Sequence, residues 1–243
     1  MPDQAVRLDK YLSNAGVLSR RGIKQLLKKE TLTINGKRVT ESGTRVDPTK
    51  DTVLLNGKKV IQPGLVYFLL NKPIGYISTT ADEYARNNVV SLIDTAQRIY
   101  PIGRLDKDTH GLLILTNDGE LTHKLTHPKF HVPKVYRLLI EGVVNKEHIH
   151  AFKTGVLLPD GITLPADIQI ISQKNSQTTV LVTLHEGRNR QIRRMCETVG
   201  MQLLDLERIS FGPIKLGTLA TGEYRKLTKK EIEALREAVQ TKQ

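Results

Sequence analysis

The sequence predicts an α+β chain in two parts, a small basic module in front of a larger domain. Three observations carry that expectation. Two Asn-Gly pairs, Asn35-Gly36 and Asn56-Gly57, each separate short β-prone runs, the pattern of a hairpin whose two turn residues are left-handed. Runs of helical spacing lie among alternating or continuous apolar runs, so helices and sheet are mixed along the chain. A breaker, Gln62-Pro63-Gly64, falls where the charge balance changes. Residues 1–60 hold 13 Lys/Arg and 6 Asp/Glu, net +7, whereas the rest hold 24 and 19, net +5. The expected domains are residues 1–61 and 62–243.

The formal charge of +12 on 243 residues favours a polyanionic partner, nucleic acid or membrane surface. No apolar run approaches a membrane-spanning length; Leu65–Leu70 is about as long as any. Met1–Leu12 lacks the apolar segment of a signal peptide, and the single Cys196 excludes an internal disulfide. The expected compartment is the cytoplasm.

In the front module Leu8, Leu12 and Ala15 recur at helical spacing and Gly16 can end that helix. Ser19 is suited to cap a second helix, Arg20 to about Lys29, with Ile23, Leu26 and Leu27 on one face. Arg20, Lys24 and Lys28 step along another face, with Arg21 beside them. Like charges in register repel, so the stripe is mildly costly without an anionic partner. Thr31–Ile34 with Lys37–Thr40, and Thr52–Leu55 with Lys58–Ile61, form the two hairpins. The string R-L-D-K-Y-L-S-N-A-G, then S-R-R-G-I-K-Q-L-L-K-K and T-I-N-G-K-R-V, resembles the S4 RNA-binding domain over residues 6 to about 60. That resemblance implies RNA gripped by Arg20, Arg21, Lys24 and Lys28 through phosphate contacts, which give salt-dependent affinity and little sequence reading.

The larger domain opens on a strand, Val66–Leu70, and a tight loop, Asn71-Lys72-Pro73-Ile74-Gly75, whose expected role is backbone shape. The densest stretch is Gly103–Gly119. Leu112–Leu115 reads as a buried strand and Asn117-Asp118-Gly119 as a turn. Asp106 then sits on a loop entering a core strand, the place where a scaffold usually carries reactive groups. The string G-R-L-D-K-D-T-H-G-L-L resembles the signature of the pseudouridine synthases of the RsuA/RluB type, and the tight loop resembles their K-P-x-G motif. The resemblance implies that Asp106 is the catalytic acid.

Glu120–Thr126 reads as a short helix. His123, His127 and His131 follow at four-residue spacing, but Pro128 and Pro133 break any helix across them, so no metal site is expected. Lys134–Leu138 begins a strand that resembles the family's K-x-Y motif, which implies that Tyr136 packs on the target base. Residues 146–153 read as a helix ended by Gly155; Gly155–Leu158, Ala166–Ile171 and Thr178–Leu184 read as strands, with a turn at Asp160-Gly161. Ile192, Met195, Cys196 and Val199 lie on the inner face of a helix closed by Gly200. Arg190, Arg194 and Glu197 point away and Arg193 lies at the margin, able to reach a cleft. The string E-G-R-N-R-Q-I-R-R-M resembles the family's third motif, which implies that Arg193 pairs with Asp106. Leu203–Arg208 reads as a strand; Leu206 matches a leucine lining the family's pocket, and Arg104, Arg188 and Arg190 are the expected substrate-binding cations. Thr228–Glu231 is a capping box opening a last helix.

The resemblance covers nearly the whole chain. It implies a long, mostly antiparallel mixed sheet behind the S4 domain, and isomerisation of uridine to pseudouridine in ribosomal RNA. The 23S molecule is favoured over 16S, and the partners are ribosomal RNA or ribosomal-subunit assembly intermediates. Substrate and product have the same atoms, so no cofactor is expected, and phosphate-loop, dinucleotide and nucleophile-elbow motifs are missing from the sequence. A monomer that binds no membrane is expected. Two other readings fit less well. A noncatalytic S4-type assembly factor would not need Asp106, Tyr136 and Arg193 together. A glycoside-cleaving enzyme using Asp106 and Asp108 would need a sugar cleft, and there is no Trp.

Overall fold

The computed structural model describes residues 5–80 and 87–240; the first four residues of the Met1–Leu12 stretch lie outside it. The chain divides into two compact units, one running to Leu65 and taking in Thr95–Arg98, the other holding the remainder. The division falls just beyond Gln62-Pro63-Gly64. Gln62 Nε2 donates to Tyr11 O (2.7 Å), and Tyr11 Oη donates to Val60 O (3.1 Å), so the connector is tied to the first helix of the front unit.

In the first unit β1 (Val6–Arg7) leads into α1 (Leu8–Asn14) and α2 (Arg20–Lys29). Ser19 caps α2 by accepting from Gly22 N (3.2 Å), a bond worth about 1 kcal/mol. β2 (Leu32–Ile34) and β3 (Lys37–Arg38) form the first hairpin, β4 (Arg45–Val46) pairs with β1, and β5 (Val53–Leu55) and β6 (Lys58–Lys59) form the second hairpin. β2 and β5 join the hairpins into one four-stranded sheet. Asn35 (φ 50°) and Asn56 (φ 49°), each followed by a left-handed Gly, make the turns expected of Asn-Gly. Leu8, Leu12, Ile23, Leu27, Leu32 and Val53 close the core.

The second unit is built on β7 (Tyr67–Lys72), β8 (Tyr100–Pro101), β9 (His110–Thr116), α3 (Gly119–Thr126), β10 (Lys134–Glu141), α4 (Lys146–Thr154), β11 (Leu157–Leu158), β12 (Gly161–Ile162), β13 (Asp167–Lys174), β14 (Gln177–Leu184), α5 (Gln191–Thr198), β15 (Gln202–Phe211), β16 (Ile214–Lys215), β17 (Tyr224–Lys226) and α6 (Lys229–Glu237). Among the described residues nine strands form one mixed sheet, whose main path is β13-β14-β10-β15-β9-β7-β17. Every join along that path is antiparallel except β15–β9, which is parallel and spans two residue pairs, Glu207 with His110 and Arg208 with Gly111. The sheet is thus two antiparallel halves meeting at one short seam. A Cβ on Gly111 (φ +101°) would stand 2.4 Å from Arg208 O, so only glycine lets the halves approach. Arg208, 2% exposed, crosses the seam and donates from Nε to Leu112 O (2.8 Å).

Each half has its own core. Ile192, Met195 and Cys196 of α5 pack with Phe152 of α4 on β10, β14 and β15. Leu121 and Leu125 of α3 pack with Leu235 of α6 on β7 and β9. Asn117-Asp118-Gly119 is more than the turn expected of it: Asp118 caps α3, with Oδ1 accepting from Glu120 N (3.1 Å) and Leu121 N (2.9 Å). The regular histidine spacing is interrupted after His127 by a short 3₁₀ turn, Pro128–Phe130, and His131 is left-handed.

Candidate active site

The approach to β9 is a loop, Gly103–Thr109, lying at the seam. Its shape is set by groups behind it. Thr109 N donates to Asp106 O (3.1 Å), closing a turn across the two acids. Gly75 N donates to Lys107 O (2.8 Å), which is the backbone role expected of the K-P-x-G segment. The same segment also supplies a side chain to which sequence reasoning assigned no role. Lys72 ends a fully buried strand, has no exposed surface, and donates from Nζ to Pro73 O (3.1 Å), Asp106 O (3.0 Å) and Thr109 O (2.7 Å). Burial pulls its pKa down to about 8, against the pull of Asp106 and Asp108, with Arg208 adding to the fall. Ser78 Oγ accepts from Leu105 N (3.0 Å) and donates to Leu105 O (2.8 Å), clamping the residue before Asp106. The one signal for Lys72 in the sequence was a lysine closing an apolar strand, where a charge needs buried acceptors.

Opposite this loop, Tyr136 on β10 is paired in register with Arg208 of β15, and Leu206 of β15 is paired with Leu138. The turn leading into α5 and the first turn of that helix bring Arg188, Arg190 and Arg193 to the cleft. The result is a cleft of about 360 Å³ lined by all seven residues expected at the site: Arg104, Asp106, Tyr136, Arg188, Arg190, Arg193 and Leu206. They come from four separate stretches of chain. Tyr136 is half-buried, packed against the α5 core on one side and the cluster holding Phe68, Leu105 and Leu113 on the other, and its hydroxyl has no hydrogen-bond partner among the described residues. Leu206, 4% exposed, supplies apolar wall.

The arginines are placed differently from expectation in two respects. First, Arg193 does not pair with Asp106. Its Nη2 donates to Asp108 O (2.8 Å) and Thr109 Oγ1 (3.3 Å), and its Nε stands 3.3 Å from Asp108 Oδ2 without hydrogen-bond geometry. The cation near Asp106 is Arg190, Nη1 to Oδ2 3.9 Å, and Arg190 bonds both oxygens of Asp108 at 3.2–3.3 Å. Helical phase put Arg193 at the cleft margin correctly; which of two acids it meets depends on the turn at Asp106–Thr109. Second, Arg188 is held by the hairpin β11–β12, donating to Gly161 O (2.8 Å) and Ile162 O, and it pairs with Glu186 at 3.1 Å. It straps that hairpin to the rim and has little left for a substrate. Arg104 makes no hydrogen bond or ion pair among the described residues, so of the four arginines it is the free one.

Burial raises the Asp108 pKa, but the Arg190 hydrogen bonds and the Arg193 charge overcome it and hold the carboxyl below its usual range. Asp106 is left with one long ion pair and a side chain 32% exposed to the cleft. A carboxylate so placed can reach a ligand without first breaking a short bond. His110 puts Nε2 3.0 Å from both Asp205 oxygens and ties β9 to β15 beside the seam.

In the front unit, Arg21, Lys24 and Lys28 are exposed and make no hydrogen bond or ion pair among the described residues. Arg20 is exposed but donates from Nη2 to both oxygens of buried Asp9 (3.2 Å each), so it has a structural partner. No helix of the described residues is long and apolar enough to cross a membrane.

This arrangement has known counterparts. The family described as RNA pseudouridylate synthase matches residues 66–198, and the S4 domain family matches residues 6–53. The ribosomal large subunit pseudouridine synthase B of Bacillus subtilis is 44% identical over 233 residues, covering 95% of each chain. The dual-specificity RNA pseudouridine synthase RluF of Escherichia coli is 36% identical, covering 96% of this chain and 79% of its own. A crystal structure of a pseudouridylate synthase superposes with a TM-score of 0.69 at 30% identity, covering 95% of this chain and 99% of that one. With an acid cleft built at the seam, a basic helical module preceding it in the chain, and matches that run nearly end to end, this chain belongs to the RNA pseudouridylate synthases and carries an S4 domain ahead of its synthase domain.

Proposed function

We propose that this chain isomerises a uridine of ribosomal RNA to pseudouridine, with the large-subunit 23S RNA as its target and Asp106 as the reacting acid. The relative that shares 44% of its residues over 95% of both chains is a large-subunit enzyme by name, which favours 23S over 16S. The observation that carries the role of Asp106 is its isolation. It is the cleft carboxylate with no short partner, whereas Asp108 is bound by Arg190.

The reaction breaks the bond from C1′ to N1, turns the uracil, joins C1′ to C5, and removes the proton from C5 while N1, freed of the sugar, ends protonated, so that no atom is gained or lost. Asp106 works at the sugar, either attacking C1′ or taking a sugar proton; both need an ionised, accessible carboxylate. Tyr136 stacks on the flipped base, where a π face replaces the stacking lost on leaving the RNA helix, and its unpartnered hydroxyl is available near C5. Arg193 holds the Asp106–Thr109 turn by its carbonyl and hydroxyl, a positioning role in place of direct pairing with Asp106. Arg104 is the cation suited to a phosphate next to the target. Arg21, Lys24 and Lys28 of the front module grip flanking RNA. The working form is a cytoplasmic monomer, and the domain limits lie near residues 61–65.

The test is Asp106→Asn, assayed for pseudouridine on ribosomal RNA fragments alongside RNA binding. Turnover should fall about 10³-fold or more with binding retained. Near-normal turnover would exclude Asp106 as the reacting acid. Mapping pseudouridines in both ribosomal RNAs from cells with and without the gene decides the target.

A further inference from the structure

We propose that the stretch Thr126–His131, between α3 and β10, is a stacking shelf for an unpaired nucleotide of the substrate RNA next to the target uridine. His127 supplies the ring, and Lys129 and Arg104 take the phosphates; this rests on the reading that an RNA uridine enters the cleft. Residues 121–140 contain no Asp or Glu, yet hold Lys124, Lys129, Lys134, Arg137 and the three histidines of the regular series. The 3₁₀ turn keeps those histidines from sharing one helix face, and the structure gives two of them another arrangement. The His123 and His127 rings meet edge to face at 5.3 Å, and His127 meets Phe130 in the same way at 6.4 Å. Phe130 is half-buried against the core of α3 and α6, while His123 and His127 are exposed. Lys129 Nζ lies 4.8 Å over the Phe130 ring and makes no ion pair among the described residues.

This ladder of rings adjoins the cleft at both ends of the stretch. At one end a Cβ on Gly103 would meet Thr126 Cγ2 at 3.8 Å, and Gly103 and Arg104 line the cleft. At the other end His185 Nδ1 donates to His131 O (3.2 Å), one residue beyond Leu184 of the cleft wall. The central ring is also held in place. Lys129 N donates to His127 Nδ1 (3.3 Å), so the imidazole caps the 3₁₀ turn and is fixed by it. A ring fixed beforehand loses little freedom when a base lands on it.

The reaction supplies the need for such a surface. A uridine turned out of its stack leaves a neighbouring base with a bare face. Unpaired RNA is held where rings offer a π surface beside cations that take the phosphates. An acid-free, exposed run of imidazoles with Lys129 and the unpartnered Arg104 at its edge has that composition.

The experiment measures Kd and KM of the full chain on a 23S ribosomal RNA fragment whose uridine the wild type converts. His127→Asn keeps an acceptor for Lys129 N and removes the ring; His127→Phe keeps a ring and removes the acceptor. Stacking predicts that His127→Asn raises Kd and KM about 5- to 100-fold, and that His127→Phe stays within about threefold of the wild type. A side chain that only caps the turn gives the reverse order, and that order would overturn the proposal. Lys129→Gln should flatten the slope of log affinity against log salt by roughly 0.7, the share of one phosphate contact on a single strand; an unchanged slope would overturn that contact. Two further fragments carry an abasic site, one on the 5′ side of the uridine and one on the 3′ side. One of them should weaken the wild type by the same factor as His127→Asn and weaken that variant no further; if neither does, no base lies on the ring and the proposal is wrong. Circular dichroism melts confirm that each variant is folded; should His127→Asn not fold, His127→Ser, which can also cap, replaces it. Pseudouridine is read in the same samples. A wild type that converts no uridine of either ribosomal RNA would overturn the reading of the reaction, whereas a converting wild type matched by His127→Asn in both binding and turnover would overturn the shelf alone.

Discussion

The two units of this chain handle positive charge in opposite ways. On α2 the cations Arg21, Lys24 and Lys28 stand in solvent with no partner among the described residues. In the synthase cleft Arg188, Arg190 and Arg193 are bonded to the protein itself, and Lys72 is buried under the loop it supports. The difference follows from what each unit must do. A module that grips phosphates needs mobile, solvated cations whose affinity comes from released counterions. A cleft that performs chemistry needs its groups already fixed, since reorganising them during the reaction would raise the barrier. Arg20 shows that proximity in sequence does not decide which kind a cation is. It heads the basic helix, yet it serves buried Asp9.

The comparison would break first at the seam. Gly111→Ala should cost about 3 kcal/mol or more, because the added Cβ meets Arg208 O at 2.4 Å and Arg208 N at 2.8 Å in a left-handed backbone. Urea unfolding followed by circular dichroism measures it. By contrast a Cβ on Gly36 of the front hairpin meets nothing within 4 Å, so Gly36→Ala should lose only about 1 kcal/mol of turn preference. Equal losses at the two sites would mean that the seam is no more constrained than an open turn.

Lys72 gives the next largest effect. Lys72→Met leaves three carbonyls without their donor and should destabilise by about 3 kcal/mol at pH 7. The pH dependence has a definite sign. The folded pKa of about 8 lies below the ordinary lysine value of 10.5, so between these values the unfolded chain binds more protons and stability rises with pH. The gap between wild type and Lys72→Met should therefore widen by up to about 3 kcal/mol from about pH 8 to about pH 10.5, and be flat below that window. Unfolding curves taken at about pH 7, 8, 9 and 10 test this; a gap that ignores pH would mean the ammonium is not desolvated.

The smallest effect on the fold, and a clear one on binding, belongs to α2. Arg21→Glu, Lys24→Glu and Lys28→Glu together should leave stability within about 0.5 kcal/mol. Removal of each phosphate contact should flatten the slope of log affinity against log salt by roughly 0.7–0.9. Binding of ribosomal RNA fragments across a salt series reads the slope, and urea unfolding reads the stability. Arg20→Glu should instead lower stability, by placing a second acid against Asp9. An unchanged salt slope in the triple variant would make the basic face an ordinary solvated surface.

Much of this molecule was decided by sequence alone. The α2 limits, the Ser19 cap, both Asn-Gly turns and the buried strand after Asp106 follow from interactions within a few residues, where periodicity and turn chemistry are sufficient. The motif strings likewise named seven residues that line the cleft. What the tertiary structure decided are the pairings over long separations. Arg190 meets Asp108 across 82 residues and Arg193 reaches the same loop across 85, while Lys72 supports it from 34 residues before Asp106. Helical phase sets which side of α5 an arginine occupies, and it cannot set which of two carboxylates a turn presents. That choice is made by the Asp106–Thr109 turn, closed by Thr109 N on Asp106 O and held from behind by Lys72.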